Sequence, residues 1–354
     1  MTPLEFALPL TPRARLDVID VKAHVAHLHG DRLDPYRRRL YASGHTTAGY
    51  LSQSLAVRLA SRPDLLSPYL ELFGTMFPAG AGYRHDQLEL RSELRPEQKL
   101  TEPLNGDSHL AFIGGGLHAC VSYDARRAGP AYFIDLDGTY EGQPRRRVTT
   151  IVGYNHEETV ARTTFRVPVS GHPIDAVNLK DARFGFYAQL AELIDVHGVT
   201  KGRVRIALAP GEQAASLTVN EYETLLMQHD LAEVLRNPLR FAAEKARHAW
   251  NDPLAVPAKA IGYAKYDLVR AVNRLVDVLG LQASRLEQIV ARAVGVPASR
   301  FLRMQRSVDL LVSDAATPGR GAVTVGTYQA PILVQWRSAP GAVREIDVSV
   351  TRFL

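Results

Sequence analysis

Ala131-Tyr132-Phe133-Ile134-Asp135-Leu136-Asp137-Gly138-Thr139-Tyr140, followed by Arg145-Arg146-Arg147-Val148-Thr149-Thr150-Ile151-Val152, reads as strand, turn, strand. Asp137-Gly138 supplies the positive-φ turn chemistry that hairpins prefer. The end of the chain is written in a similar way. Thr324 to Trp336 reads as one strand, Val343 to Val350 as its partner, and Ala339-Pro340-Gly341 as the connection. Two similar endings imply two similar units, and an internal repeat decides the fold before any single motif does.

The beginnings also correspond. The first unit opens with strands at Leu4 to Leu10 and Leu16 to Val21, then a short segment from Lys22 to Leu28 of unclear period. The second opens with strands at Thr163 to Val169 and Ile174 to Leu179. An amphipathic helix follows from Phe186 to Val196, with Phe186, Leu190, Leu193 and Ile194 on one face. Gly202 to Ala209 then alternates as a strand does. Polar residues at Gly153 to Glu158 mark the boundary. The expected fold is α+β, with two tandem mixed-sheet domains at 1–153 and 160–354. Helical spacing in Leu231 to Trp250 and Tyr266 to Val294 places a helical addition at about 231–300 in the second domain, which reads as packing or oligomer contact.

The chain carries a formal net charge of +5 and one cysteine, Cys120, which cannot form an intrachain disulfide. That predicts a reduced, cytoplasmic setting. No apolar run is long enough to span a bilayer, and Met1 to Phe6 lacks the pattern of a secretion signal. The runs Arg37-Arg38-Arg39 and Arg145-Arg146-Arg147 lie far apart beside turn-like residues, without interleaved aromatics. They read as solvated surface, so no nucleic-acid partner is expected. A small anionic substrate is compatible with the charge.

Three histidines stand in distinctive settings: His45 in Gly44-His45-Thr46-Thr47-Ala48, His85 in Tyr83-Arg84-His85-Asp86, and His109 in Asp107-Ser108-His109-Leu110. Three neutral imidazoles can hold zinc or a related ion and leave a position open for water or substrate. Imidazole also moves protons near neutral pH. Other signals are weaker. His24, His27 and His29 read as a solvated helix face. Asp135-Leu136-Asp137-Gly138 lacks the remaining ligand positions of a calcium loop. Gly114-Gly115-Gly116 has no following Lys-Ser/Thr and is not a phosphate-binding loop.

These motifs, in this order, resemble the YjbQ family, small proteins linked to a secondary thiamine-phosphate synthase activity. In that family His-Thr-Ser-Ala leads into Asn-Glu, then Tyr-x-His-Asp, then Ser/Ala-His-Ile, and the chain closes with Gly-Thr-Trp-Gln. The first unit has His45-Thr46-Thr47-Ala48, Tyr83 to Asp86 and Ser108-His109-Leu110. It has Gln53-Ser54 in place of Asn-Glu, and Gly129-Pro130-Ala131-Tyr132 in place of the closing motif. The second unit is the reverse. It has Ala215 to Glu221 with Asn220-Glu221, then His229-Asp230, and closes with Gly326-Thr327-Tyr328-Gln329, while Glu212 replaces the first histidine.

The resemblance implies a composite site. His45, His85 and His109 would hold a divalent metal, zinc being favoured. Glu221 would act as acid/base or as a further ligand, Gln329 would orient the substrate, and Asn220 and Asp86 would join the catalytic set. The resemblance further implies a homo-oligomer, as a symmetric trimer, and thiamine-phosphate formation. The competing class is a non-catalytic binding or assembly protein whose site has degenerated.

Overall fold

Strands that are apolar on both faces must be covered on both faces, and a chain rich in such strands stacks them in layers. The computed structural model describes residues 1–221 and 305–354, apart from 63, 65, 92, 93 and 173. The helical addition expected at about 231–300 lies outside the described residues, as does His229-Asp230. By contact the chain forms two compact units. The first holds Met1–Gln53 with the described residues 116–221 and 305–354, and the second holds, among the described residues, Ser54–Gly115. The division expected between 153 and 160 falls inside the first unit, at Asn155-His156, whose two amides donate to the Leu354 carbonyl.

The chain runs β1 (Leu4–Leu10), β2 (Asp17–Asp20), α1 (Val21–His29), β3 (Arg38–Ser43) and β4 (Ala48–Tyr50). Next come α2 (Gln53–Ser61), α3 (Leu66–Met76), α4 (Pro96–Lys99) and α5 (Gly106–Gly114), which apart from Gln53 fall among the described residues of the second unit. The first unit resumes with β5 (Cys120–Asp124), β6 (Tyr132–Asp135), the short β7 (Thr139–Tyr140) and β8 (Gln143–Pro144), and β9 (Arg147–Tyr154). It continues with β10 (Glu157–Pro168), β11 (Asp175–Asn178), α6 (Phe186–Val196), β12 (Gly202–Leu208) and β13 (Ala215–Glu221). It ends with β14 (Ser307–Ser313), β15 (Ala322–Thr324), β16 (Gln329–Gln335) and β17 (Val343–Phe353).

Local chemistry explains the helix limits. Asp20 caps α1 by accepting from the amides of Lys22 and Ala23, and Gly30 at φ 61° ends it. The segment whose period was unclear is therefore helical because of its cap. Helix α6 forms where the apolar spacing predicts it and buries Phe186, Leu190 and Ile194.

Two sheets have the orders β1-β9-β3-β5 and β10-β17-β12-β14-β15, and two smaller ones have β2-β6-β4 and β11-β16-β13. Matching β10, β11, α6, β12, β13, β14, β16 and β17 to β1, β2, α1, β3, β4, β5, β6 and β9 gives the same order in both pairs of sheets. The two sets meet where Tyr154 stacks on Phe353, with ring centroids 3.8 Å apart, among buried Leu40, Cys120, Val152 and Leu311. Lys201 Nζ adds ion pairs to Glu5 (2.7 Å) and Asp314 (2.6 Å).

Neither expected hairpin forms. β6 pairs with β2 and β4, whereas β9 pairs with β1 and β3. Likewise β16 pairs with β11 and β13, and β17 with β10 and β12. At each place the chain leaves one sheet and enters another. Gly138 is not the hairpin turn. A Cβ there would lie 2.4 Å from the Ala14 carbonyl oxygen, so the glycine serves a close backbone approach.

The crossing is held by a buried pair. Arg147 Nε and Nη2 donate to the two oxygens of Asp135 at 2.7 and 2.9 Å, and Nη2 also reaches the Asp137 carbonyl at 2.5 Å. The matching corner uses Arg344, which donates to Gln335 Oε1 (3.2 Å), Glu212 Oε2 (2.6 Å) and the Gln213 and Arg337 carbonyls. Removing one partner of a buried pair leaves an uncompensated charge, at a cost of about 3–5 kcal/mol. Asp135→Ala is therefore expected to lower stability by that amount in urea unfolding. A loss below about 1 kcal/mol, the range of exposed pairs, would show that the corner does not depend on it.

Candidate functional site

The second unit builds an imidazole pair. Tyr83-Arg84-His85-Asp86 folds into a 3-10 turn at Arg84–Asp86, and another turn follows at Leu88–Leu90. His109 stands one turn into α5, every residue of which is buried. The rings of His85 and His109 face each other with centroids 4.7 Å apart, and both side chains are excluded from solvent.

Asp86 ties the two elements together. Its Oδ1 accepts the Gly106 amide at 2.8 Å, at the first residue of α5, and lies 3.3 Å from His85 Nδ1. The approach needs glycine. A Cβ on Gly106 would stand 2.9 Å from Tyr83 Cβ and 3.1 Å from His85 Cβ. Arg91, almost wholly buried, brings Nη1 to 3.4 Å from His85 Nε2 and 3.5 Å from Glu102 Oε1. A guanidinium only donates, so the tautomer that satisfies both contacts carries the proton on Nδ1 and donates it to Asp86. A carboxylate on the far nitrogen of a ligating imidazole is the usual outer arrangement of a metal site. The other Asp86 oxygen, Oδ2, is buried with no hydrogen-bond partner among the described residues.

The first unit contains the other predicted residues. His45 Nε2 accepts the Val148 amide at 3.0 Å, and its own amide donates to Ser43 Oγ at 3.2 Å. Burial, reinforced by the charges of Arg147 and Arg145, holds the His45 imidazole down at about 4. At the matching place in the second set of sheets, Glu212 Oε1 accepts the Glu345 amide at 2.8 Å, so the carboxylate plays the role of the imidazole there.

Gln329 and Asn220 hold the main chain around His45. Gln329 Nε2 donates to the carbonyls of Ser43 and His45, both at 2.9 Å, while its Oε1 accepts the Gly326 amide at 2.9 Å. Asn220 Nδ2 donates to the Thr46 carbonyl at 2.9 Å, and its Oδ1 accepts the Glu221 amide at 2.7 Å. Gly326 and Gly44 let the two backbones touch, since a Cβ on Gly326 would lie 1.8 Å from the Gly44 oxygen. Glu221 is buried at the end of β13, opposite Gln329 in register.

Thus His85, His109 and Asp86 come together in one unit, and Asn220, Glu221, Gln329 and the His45 loop in the other. Sequence reasoning missed Arg91. It follows the second of two 3-10 turns, and only the turn geometry brings it back to His85. The remaining candidates fall away from chemistry. His24 and His27 lie on α1 and His29 packs against Phe6. Arg147 and Arg145 engage Asp135 and Asp137, the carboxylates of the calcium-like stretch. Gly116, at φ 61°, lies in the turn that follows α5.

No protein-family model matches the chain, and no curated protein does. Solved structures similar to it include two described as YbjQ-like or of the yjbq/upf0047 family. A YbjQ-like protein of unknown function from Sulfolobus solfataricus P2 is 15% identical, with 56% of this chain and 99% of that one covered and a TM-score of 0.30. A hypothetical protein from Aeropyrum pernix K1 is 13% identical, with 54% and 98% covered and a TM-score of 0.28. An uncharacterized conserved protein of the yjbq/upf0047 family from Clostridium acetobutylicum is 12% identical, with 53% and 98% covered and a TM-score of 0.27. What the site can do rests on its own geometry. Among the described residues no helix is long and apolar enough to cross a membrane.

Two outcomes follow from this geometry. Gly106→Ala pushes α5 off the 83–86 turn. Overpacking of this kind costs about 1–3 kcal/mol, and the variant should lower the thermal midpoint while disturbing both histidine resonances in an NMR spectrum. Unchanged His85 and His109 resonances would refute it. For His45, a folded value near 4 against an ordinary 6.5 means that protons bind the unfolded chain first. Stability is then full above the ordinary value and is lost as pH falls toward the folded one. Between pH 7 and pH 5 this amounts to about 2 kcal/mol. In chelator-treated protein, His45→Gln should flatten that part of the stability profile, and an unaltered slope would count against it.

Proposed function

We propose that the chain is a metal-dependent enzyme of two tandem YjbQ-like copies acting on a small anionic substrate in a reduced, cytoplasmic setting. Supporting the tandem reading is the matched strand order of the two sets of sheets. His85 and His109 would supply imidazole nitrogens to a divalent ion, and the family resemblance adds the Glu221 carboxylate to the proposed donors. Imidazole favours zinc. The observation that carries the reading is the buried His85–His109 pair, with Asp86 on the Nδ1 of His85. The Asp86 oxygen left without a partner fits a site that is completed by something bound.

A bound divalent ion would polarise the substrate or activate water there. The chain's own residues do the rest. Asp86 fixes the His85 ring and its tautomer. Glu221 would ligate or move a proton. Asn220 and Gln329 would orient the substrate through the main chain around His45, the segment they hold. His45, with its lone pair on the Val148 amide, would enter the ligand set only by giving up that contact. The family resemblance extends the proposal to thiamine-phosphate formation, in which diphosphate leaves as a nitrogen attacks, and to assembly as a homo-oligomer of trimeric type.

A second reading has its own support. The side-chain amides of Gln329 and Asn220 are committed to backbone carbonyls, as in a binding or assembly protein whose site has degenerated. Elemental analysis before and after chelation separates the two. The enzyme reading expects about one divalent ion per chain, since metal loss on removal of a ligand is steep. His85→Ala and His109→Ala should abolish binding, and Glu221→Gln should weaken it at least about tenfold. Protein without metal, or variants that keep it, would favour the second reading.

A further inference from the structure

We infer that the cleft between the 209–214 loop and the 336–342 turn binds a small anion carrying a phosphate group, with Arg337 as its principal donor. The cleft lies wholly within the first unit. The inference is independent of the metal reading of His85 and His109.

One buried guanidinium holds both walls of the cleft. Arg344 donates to the Gln213 carbonyl on one side (2.7 Å) and to the Arg337 carbonyl on the other (2.6 Å). The Trp336 amide adds a bond to the Ala214 carbonyl at 3.0 Å. Between the walls lies a volume of about 520 Å³, within the range of small-molecule sites. Its lining includes Arg337 and Ser338, Arg166 of β10, and the carboxylates of Glu212 and Glu345. Ala214 and Ala342 hold positive φ, 55° and 53°, one in each wall. Alanine is strained in that region, and such strain persists where the surroundings impose it and gathers at binding sites.

The charge here differs from that at the matching corner. There Asp135 takes Arg147, and Asp137, two residues further on, takes Arg145. Two residues past Gln335 the second corner carries Arg337 in place of that carboxylate. Arg344 is answered by Glu212 at 2.6 Å. Arg166 and Glu345 stand 3.9 Å apart and are both exposed, so water screens the pair and leaves the arginine available. The Arg337 guanidinium is exposed and has no ion pair among the described residues, although its main chain is pinned by Arg344. A bound anion would supply the partner that the first corner has built in. Phosphate suits the cleft better than carboxylate. Its tetrahedral oxygens can face Arg337, Arg166 and the Ser338 hydroxyl from different sides, whereas a carboxylate offers two oxygens in one plane.

The test is calorimetric titration of the full, chelator-treated chain with inorganic phosphate, with glycerol phosphate as a simple ester and acetate as the carboxylate arm. Phosphate and the ester should both bind, and acetate more weakly. Arg337→Gln should weaken phosphate binding by about tenfold or more, the loss of one charge-assisted contact. Arg337→Asp, which restores the residue type of the first corner, should abolish it, and Arg166→Gln should give a smaller loss. Arg162→Gln removes a charge from β10 outside this cleft and should change nothing. Circular dichroism checks that each variant is folded. If the natural chain takes neither phosphate nor the ester, or if folded Arg337→Gln binds as tightly as the natural chain, the proposal is overturned. A loss in Arg162→Gln equal to that in Arg337→Gln marks a general charge effect and overturns it as well. Acetate binding equal to that of phosphate overturns the phosphate assignment and leaves a carboxylate site. Because chelator is present throughout, failure of the metal reading would leave each of these outcomes unchanged.

Discussion

The guanidinium of Arg147 decides where the chain can turn. Between β6 and β9 the backbone leaves one sheet for another, and the Asp135 carboxylate and Asp137 carbonyl at the corner need donors. A buried arginine with several donors in a fixed fork answers that need, engaging both oxygens of Asp135 and the Asp137 carbonyl at once. Arg344 does the same work between β16 and β17, with Gln335 and Glu212 as its acceptors. Because each corner is pinned, every strand after it arrives in register. The loops that carry His45 and Glu212 are fixed by the strands on either side.

Seen from those corners, the candidate residues rest on two kinds of support, one in each unit. The imidazole pair depends on a close approach between a 3-10 turn and a helix start, which only glycine at 106 permits. The His45 loop depends on amide side chains that reach in from β13 and β16. Neither support is a metal ligand, yet each sets where a ligand-bearing segment can lie. The chemistry proposed for the site is therefore a property of its scaffolding as much as of its histidines.

Much of this was legible in the sequence, for identifiable reasons. Single elements were readable because β1, α6 and β12 carry strong periodicity, and their ends fell within a residue of expectation. His85 and His109 were readable because imidazole is rare and chemically specific. The pairing of β6 with β9 was misread. A strand-turn-strand pattern gives turn chemistry but not the sheet to which each strand belongs, and Gly138 serves contact with Ala14 rather than a hairpin. Arg91 was invisible because its partner, six residues earlier, is reached through irregular turns with no periodic signature. The division into units was hidden for another reason. The second unit takes chain from between β4 and β5, so the first is discontinuous in sequence.

The clamps on the His45 loop have a consequence for how such a chain diverges. Gln329 and Asn220 bond to the carbonyls of Ser43, His45 and Thr46, not to their side chains. Gln335 treats Ser170 and His172 in the same way. A carbonyl is present whatever residue occupies the position, so the constraint falls on one side of each contact alone. The amides must persist while the residues they hold are free to drift. Correlated substitution between partners would therefore leave no trace of the contacts that hold this loop in place.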